Sequence, residues 1–235
     1  MTKIQDGKYM FFLTYLVKFV SKPFYMLPKT IDLTDNPERY RLILALNLRE
    51  IADFVRQYFY SRTILTSIFR YFLLVSTFLF LGIFTFFIIL QPAAWNLYLG
   101  RFTLGILSFF LLVPIHEIIH GAVYKYYGAP KVRFGIIWSK LDFFAAAPEF
   151  VISKKEFLPI ALAPFIVINS ILIFFLILSW NNPLVHIYLW GVFLMHSLGC
   201  MGDFALIGFF EEQGNKKIYT FDAAGAECSY FYEDI

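Results

Sequence analysis

Residues 102–124 read FTLGILSFFLLVPIHEIIHGAVY, and His116, Glu117 and His120 are set into the last third of this otherwise apolar run. Crossing a bilayer takes about 20 mostly apolar residues, so the run qualifies as a span. Ionisable groups at that depth cost several kcal/mol, roughly, and are expected to face a bundle interior in functional roles. The bland alternative is a buried polar cluster that only hydrogen-bonds helices together. Three such groups within five residues weigh against it.

Working outward, 68–90, 157–179 and 184–210 are also long and apolar enough to span. The 235 residues are 59% hydrophobic, 21% aromatic and 16% charged, which excludes an ordinary soluble domain. The expected fold is an all-α polytopic membrane protein with about four transmembrane helices. It would comprise an N-terminal region 1–67, a four-span core 68–210 and a tail 211–235. Of the 20 Lys and Arg residues, eleven precede residue 71, one (Arg101) lies between the first two spans, six lie between spans two and three, and two are C-terminal. By the positive-inside rule both termini are expected to be cytoplasmic, in a multi-pass cell-membrane protein. Cys200 in a span and Cys228 in the tail are both expected to be reduced.

The N-terminal third holds no span. Residues 9–20 (YMFFLTYLVKFV) are interrupted by Lys18 and read as lying on the bilayer surface. Asp35-Asn36-Pro37 is a helix-start signal, predicting an amphipathic helix over 37–60. Its apolar face would comprise Ile43, Leu44, Leu48, Ile51, Phe54, Val55 and Tyr58, suited equally to the membrane interface or to packing on the rest of the protein. Between spans two and three, residues 131–148 contain two apolar runs broken near Ser139-Lys140, predicting a short re-entrant or membrane-surface β-hairpin.

On a helix, His116 and His120 point the same way, while Glu117 sits about 100° around. That is zinc-ligand spacing with a base beside it, the pattern of a metallopeptidase. A catalytic zinc site uses three protein ligands and keeps a fourth position open, so one ligand must come from another span. Asp203 is the candidate, because His120 and Asp203 both fall near the cytoplasmic ends of spans that run the same way. Gly199, Gly202 and Gly121 would let the helices approach closely there. Asp203 could instead be a helix-end residue near the headgroups, neutralised by a basic side chain. Cys200, a softer donor, reads as packing. His186 and His196 are the remaining span histidines; His196 reads as a satisfied interior residue or as lining a water path, and Asn169 as packing or as a contact for substrate backbone.

Residues 105–232 resemble a family of zincin membrane metallopeptidases, distantly similar to site-2 proteases. The resemblance rests on His-Glu-x-x-His, on Ser153-Lys154-Lys155-Glu156-Phe157 before Ala163-Pro164, and on Gly-Cys-Met-Gly-Asp ending at Asp203. His196 stands where that family often has asparagine, and the Asn-Pro-Asp-Gly-like motif of site-2 proteases is absent. The resemblance supports a Zn²⁺ ion on His116, His120 and Asp203 with Glu117 as catalytic base. The implied activity is hydrolysis of peptide bonds in or near transmembrane segments, with a membrane protein as substrate, the lipid bilayer as surroundings and no nucleic acid as partner. Two other readings stay open at this point: a non-catalytic zinc-binding sensor or chaperone, and a metallohydrolase acting on a lipid-like substrate.

Overall fold

The computed structural model describes residues 27–47, 50–137 and 142–235. The surface segment expected at 9–20 and the break at Ser139-Lys140 lie outside the described residues. In chain order the elements are α1 (Thr30–Asp35), β1 (Tyr40–Asn47), α2 (Ile51–Phe59), α3 (Ile64–Leu90), α4 (Trp95–Tyr127), β2 (Arg133–Ile137), β3 (Asp142–Ala146), β4 (Ile152–Ser153), α5 (Lys154–Leu178), α6 (Pro183–Gly199), α7 (Met201–Glu212), β5 (Ile218–Asp222) and β6 (Cys228–Asp234).

The protein is mostly helical, and four helical stretches are long and apolar enough to cross a membrane: α3, α4 with the short turn before it, α5, and α6 with α7. Their outward side chains, among them Phe78 and Ile89 on α3, Leu107 and Leu111 on α4, and Phe174 and Ile177 on α5, are exposed as lipid-facing residues are. Helix ends are closed by side chains from neighbouring elements. Glu211 accepts the Leu65 backbone N–H at the start of α3 (3.0 Å), and the Lys154 ammonium donates to the Phe210 carbonyl at the end of α7 (2.9 Å). Ser153 and Glu156 form a capping box at the start of α5.

Helices α4 and α6 make the tightest crossing. A Cβ on Gly105 would lie 2.1 Å from the Tyr188 carbonyl oxygen, and one on Gly191 would lie 2.4 Å from that of Phe102. The two glycines face each other backbone to backbone, the way spans associate where apolar side chains gain little over lipid. The expected contribution of Gly202 is not seen, since nothing lies within 4 Å of a Cβ there, and Gly199 meets only the Phe109 ring.

Outside the bundle stands a four-stranded sheet in the order β1-β6-β5-β4, an addition to the all-α class expected. β1 runs antiparallel to β6 from Tyr40↔Asp234 to Asn47↔Cys228, with an irregularity between Leu42 and Leu44. This corrects the single amphipathic helix expected over 37–60: its first half is an edge strand, and only Ile51–Phe59 is α-helical. The face read from sequence survives in α2, where Phe54 and Tyr58 pack their rings on Phe209 of α7. That helix therefore packs on the protein. The fourth span, read as continuous over 184–210, is divided at Cys200 into α6 and α7.

β2 and β3 form the hairpin expected between spans two and three, with Phe134 opposite Ala145 and Gly135 opposite Phe144. The Phe144 ring lies over Gly135, where a Cβ would come within 2.3 Å of it. Asp222 ties the hairpin to the sheet by accepting the Ala147 backbone N–H (3.0 Å) and the Ser229 hydroxyl (2.7 Å). Arg133 donates to the Ala224 carbonyl (2.6 Å). The hairpin is thus fixed at both ends to the segment that also carries β1.

Candidate metal centre

His116 and His120 lie on α4, one turn apart, and Asp203 lies in the first turn of α7. The division of span four at Cys200 places Asp203 at a helix N-terminus, whose partial positive charge favours a carboxylate. His116 Nε2 is 3.3 Å from Asp203 Oδ2, and His120 Nε2 is 3.3 Å from Asp203 Oδ1. The two Nε2 atoms are 3.0 Å apart. Donors about 2.0 Å from a tetrahedral ion are separated by roughly 3.3 Å, and each histidine nitrogen stands at that distance from its own Asp203 oxygen, so the two nitrogens and the carboxylate converge at ligand spacing.

Proton bookkeeping gives the same answer. His120 Nδ1 lies 2.8 Å from the Ile160 carbonyl oxygen, which can only accept. Nδ1 therefore carries the proton, and in the neutral ring the Nε2 lone pair faces His116 and Asp203. With both rings neutral and bare at Nε2, the two imidazoles and the Asp203 carboxylate converge three lone-pair donors in a buried space, a set that suits a cation. Among the described residues, His116, His120 and Asp203 form one group that could hold a metal ion.

The Ile160 carbonyl is available because of Pro164. In a helix the acceptor four residues before a proline loses its partner, since proline has no N–H. Pro164 lies inside α5, and the carbonyl it leaves unpaired is the one that orients His120. Ala163-Pro164 is plain in the sequence, but this role is not.

Glu117 is half-buried, with the Ala145 backbone N–H of β3 beside its carboxylate. Phe134 of β2 lies over Gly121, where a Cβ would come within 2.6 Å of its ring. Gly121 therefore admits the hairpin rather than another span. Behind His116 lies a second layer: its Nδ1 is 3.4 Å from His196 Nε2, whose own Nδ1 is 3.0 Å from Asn169 Oδ1. Cys200 donates to the His196 carbonyl (3.3 Å) and is a free thiol with no exposure. His186 belongs elsewhere, accepting from the Trp190 indole (3.0 Å) beneath Trp180.

Compared with known proteins, residues 109–212 match the model of a family described as "Putative zincin peptidase". The matched segment begins in the middle of α4 and ends with α7, so it contains His116, Glu117, His120, Pro164, Asn169, His196 and Asp203. No curated protein and no solved structure matches the chain. The expected likeness to site-2 proteases rests on the motif and the span arrangement alone.

Proposed function

We propose that this protein is an intramembrane zinc metalloprotease that hydrolyses peptide bonds in or near transmembrane segments. The observation that carries the reading is the convergence of His116 Nε2 and His120 Nε2 on the Asp203 carboxylate, each nitrogen 3.3 Å from one of its two oxygens and 3.0 Å from the other nitrogen, beside Glu117 and within helices long and apolar enough to span a membrane. The zincin family supplies the activity class.

His116, His120 and Asp203 would hold the ion. Zinc supplies Lewis acidity there, polarising a carbonyl and lowering the pKa of water toward about 7. Glu117 takes the proton of the attacking water on its carboxylate and delivers it to the leaving amine. The Ala145 N–H lies beside that carboxylate. Because this N–H belongs to the backbone of β3, a substrate strand laid along the hairpin would have its carbonyl groups beside Glu117. Strand addition is held by main-chain hydrogen bonds, and a transmembrane segment must unwind to offer them.

The pairing of β1 with β6 puts the N-terminal and C-terminal segments on one side of the four spans. The Lys and Arg bias assigns that side to the cytoplasm, and water would enter the site from there.

Glu117→Gln tests the reading. The variant should retain zinc, and a membrane protein should accumulate uncleaved when membrane proteomes are compared. An unchanged proteome with altered lipids would favour a lipid-directed hydrolase. Unchanged proteome and lipids would leave a binding role only.

A further inference from the structure

Resting on the metalloprotease reading, we infer that His196 is a positioning residue for the ligand His116, held in the required tautomer by Asn169. His196 is fully buried on α6 and Asn169 is 3% exposed on α5, so their polar atoms must be satisfied within the bundle. The Asn169 Oδ1 atom is 3.0 Å from His196 Nδ1 and 3.4 Å from the Ser197 hydroxyl. An amide oxygen only accepts, so both neighbours donate to it. His196 Nδ1 then carries the ring proton, and its Nε2 is a bare acceptor 3.4 Å from His116 Nδ1. His116 must donate from Nδ1, which leaves its Nε2 lone pair aimed at His120 and Asp203.

The direction of this chain is what matters. Turning the Asn169 amide over would reverse each bond in sequence and put a proton on His116 Nε2, the atom that faces the other two donors. The observed orientation spends Oδ1 twice and leaves Asn169 Nδ2 buried without a partner among the described residues. A buried donor left unmade asks for an explanation beyond packing. Here the amide keeps its acceptor on His196 at the expense of its donor.

The two ligand histidines are thereby oriented by different means. His120 leans on a helix carbonyl freed by Pro164, and His116 on a side chain from another span. Partners of this kind orient metal-binding imidazoles and raise their basicity. The same neighbourhood contains a second group of donors, His116, His196 and Cys200. An ion there would require His116 Nδ1 to be bare, which the chain from Asn169 forbids.

The test uses the full-length protein in detergent, stripped of metal. Zinc affinity is read by competition with a chromophoric chelator, and ligand geometry by the visible spectrum of the Co²⁺ form. His196→Phe removes the acceptor and should weaken zinc by about 10-fold to 100-fold and alter the cobalt spectrum. His196→Gln places an amide oxygen near the former Nε2 position and should recover most of both. Asn169→Leu, which leaves His196 in place, should shift affinity in the same direction and serves if His196→Phe does not fold. Wild-type affinity and spectrum in a folded His196→Phe or Asn169→Leu protein would overturn the inference, as would a Gln variant no better than Phe. Two zinc ions per wild-type chain, one of them lost in Cys200→Ser, would overturn it in favour of a second ion. Failure of the metal reading itself looks different: His120→Ala would then bind zinc as the wild type does, or the wild type would bind none.

Discussion

Pro164 and His120 are linked through one atom, the carbonyl oxygen of Ile160, which Pro164 leaves without its helical partner and to which His120 Nδ1 donates at 2.8 Å. Pro164→Ala restores an N–H that competes for the same oxygen. Removing a proline from a helix interior is worth up to about 3 kcal/mol of helix stability, less in a membrane, where neighbours compensate. The two effects therefore oppose each other. The variant should melt at the same or a higher temperature while binding zinc more weakly, by up to roughly 10-fold. Unchanged zinc affinity would mean that the freed carbonyl does not orient His120.

The crossing of α4 and α6 tolerates no side chain at Gly105, where a Cβ would be 2.1 Å from a backbone oxygen. Backbone cannot swing aside as a side-chain tip can. Gly105→Leu should destabilise by about 1–3 kcal/mol or more, in the range of overpacked cores, and should lower the melting temperature in detergent. Gly100→Leu, on the same helix with nothing within 4 Å, should be neutral. Equal behaviour of the two variants would mean that the crossing is looser than described.

The spans and the two histidines were legible because each signal is local: a run of apolar residues, and a four-residue spacing on one helix. Asp203 could be reached from the sequence because its depth in span four can be counted. The strand Tyr40–Asn47 could not, since its apolar residues satisfy a helical period as well as an alternating one. What makes it a strand is the ladder supplied by Cys228–Asp234, far along the chain. Asn169, His196 and the Ile160 carbonyl were hidden for a similar reason. Each acts through a hydrogen bond between different spans, and the only local sign was Pro164, whose missing N–H marks a free carbonyl four residues earlier.

Pairing of β1 with β6 fixes the two ends of the described chain on one side, and the proposed orientation, from the positive-inside rule, has that side in the cytoplasm. A reporter active only in the cytoplasm should function when fused after Ile235. The same reporter inserted in the turn Gln91–Ala94, between α3 and α4, should be silent. The reverse pattern would invert the site's water path.

Asp222 joins the hairpin to the sheet, and burial raises its carboxyl pKa, with the Ser229 and Ala147 hydrogen bonds opposing that shift. A carboxyl whose pKa is raised on folding binds its proton more tightly in the folded state than in the unfolded one. Its contribution is therefore most favourable below the unfolded value and is lost as pH rises through the folded one. Thermal stability of the wild type should fall over that window by more than that of Asp222→Asn, which has no charge to bury. Parallel pH profiles for the two proteins would remove Asp222 from the account.

Gly121 is where the hairpin touches the span that carries the proposed ligands, with Phe134 over it and Glu117 one turn earlier, beside the Ala145 backbone N–H. The Phe134 ring is exposed on its far side, so a side chain at residue 121 can push the hairpin away without disturbing the bundle. Gly121→Val should fold and bind zinc nearly as the wild type does, because His116, His120 and Asp203 do not depend on the hairpin. Glu117, however, would lose the Ala145 N–H beside it, and a substrate strand would lie out of line. Misplacement by about 1 Å can cost 10²-fold in rate. Cleavage of whichever membrane protein accumulates in Glu117→Gln should therefore drop sharply while metal content stays near one per chain. Full turnover in Gly121→Val would show that the hairpin is not part of the machinery and would return strand addition to an open question.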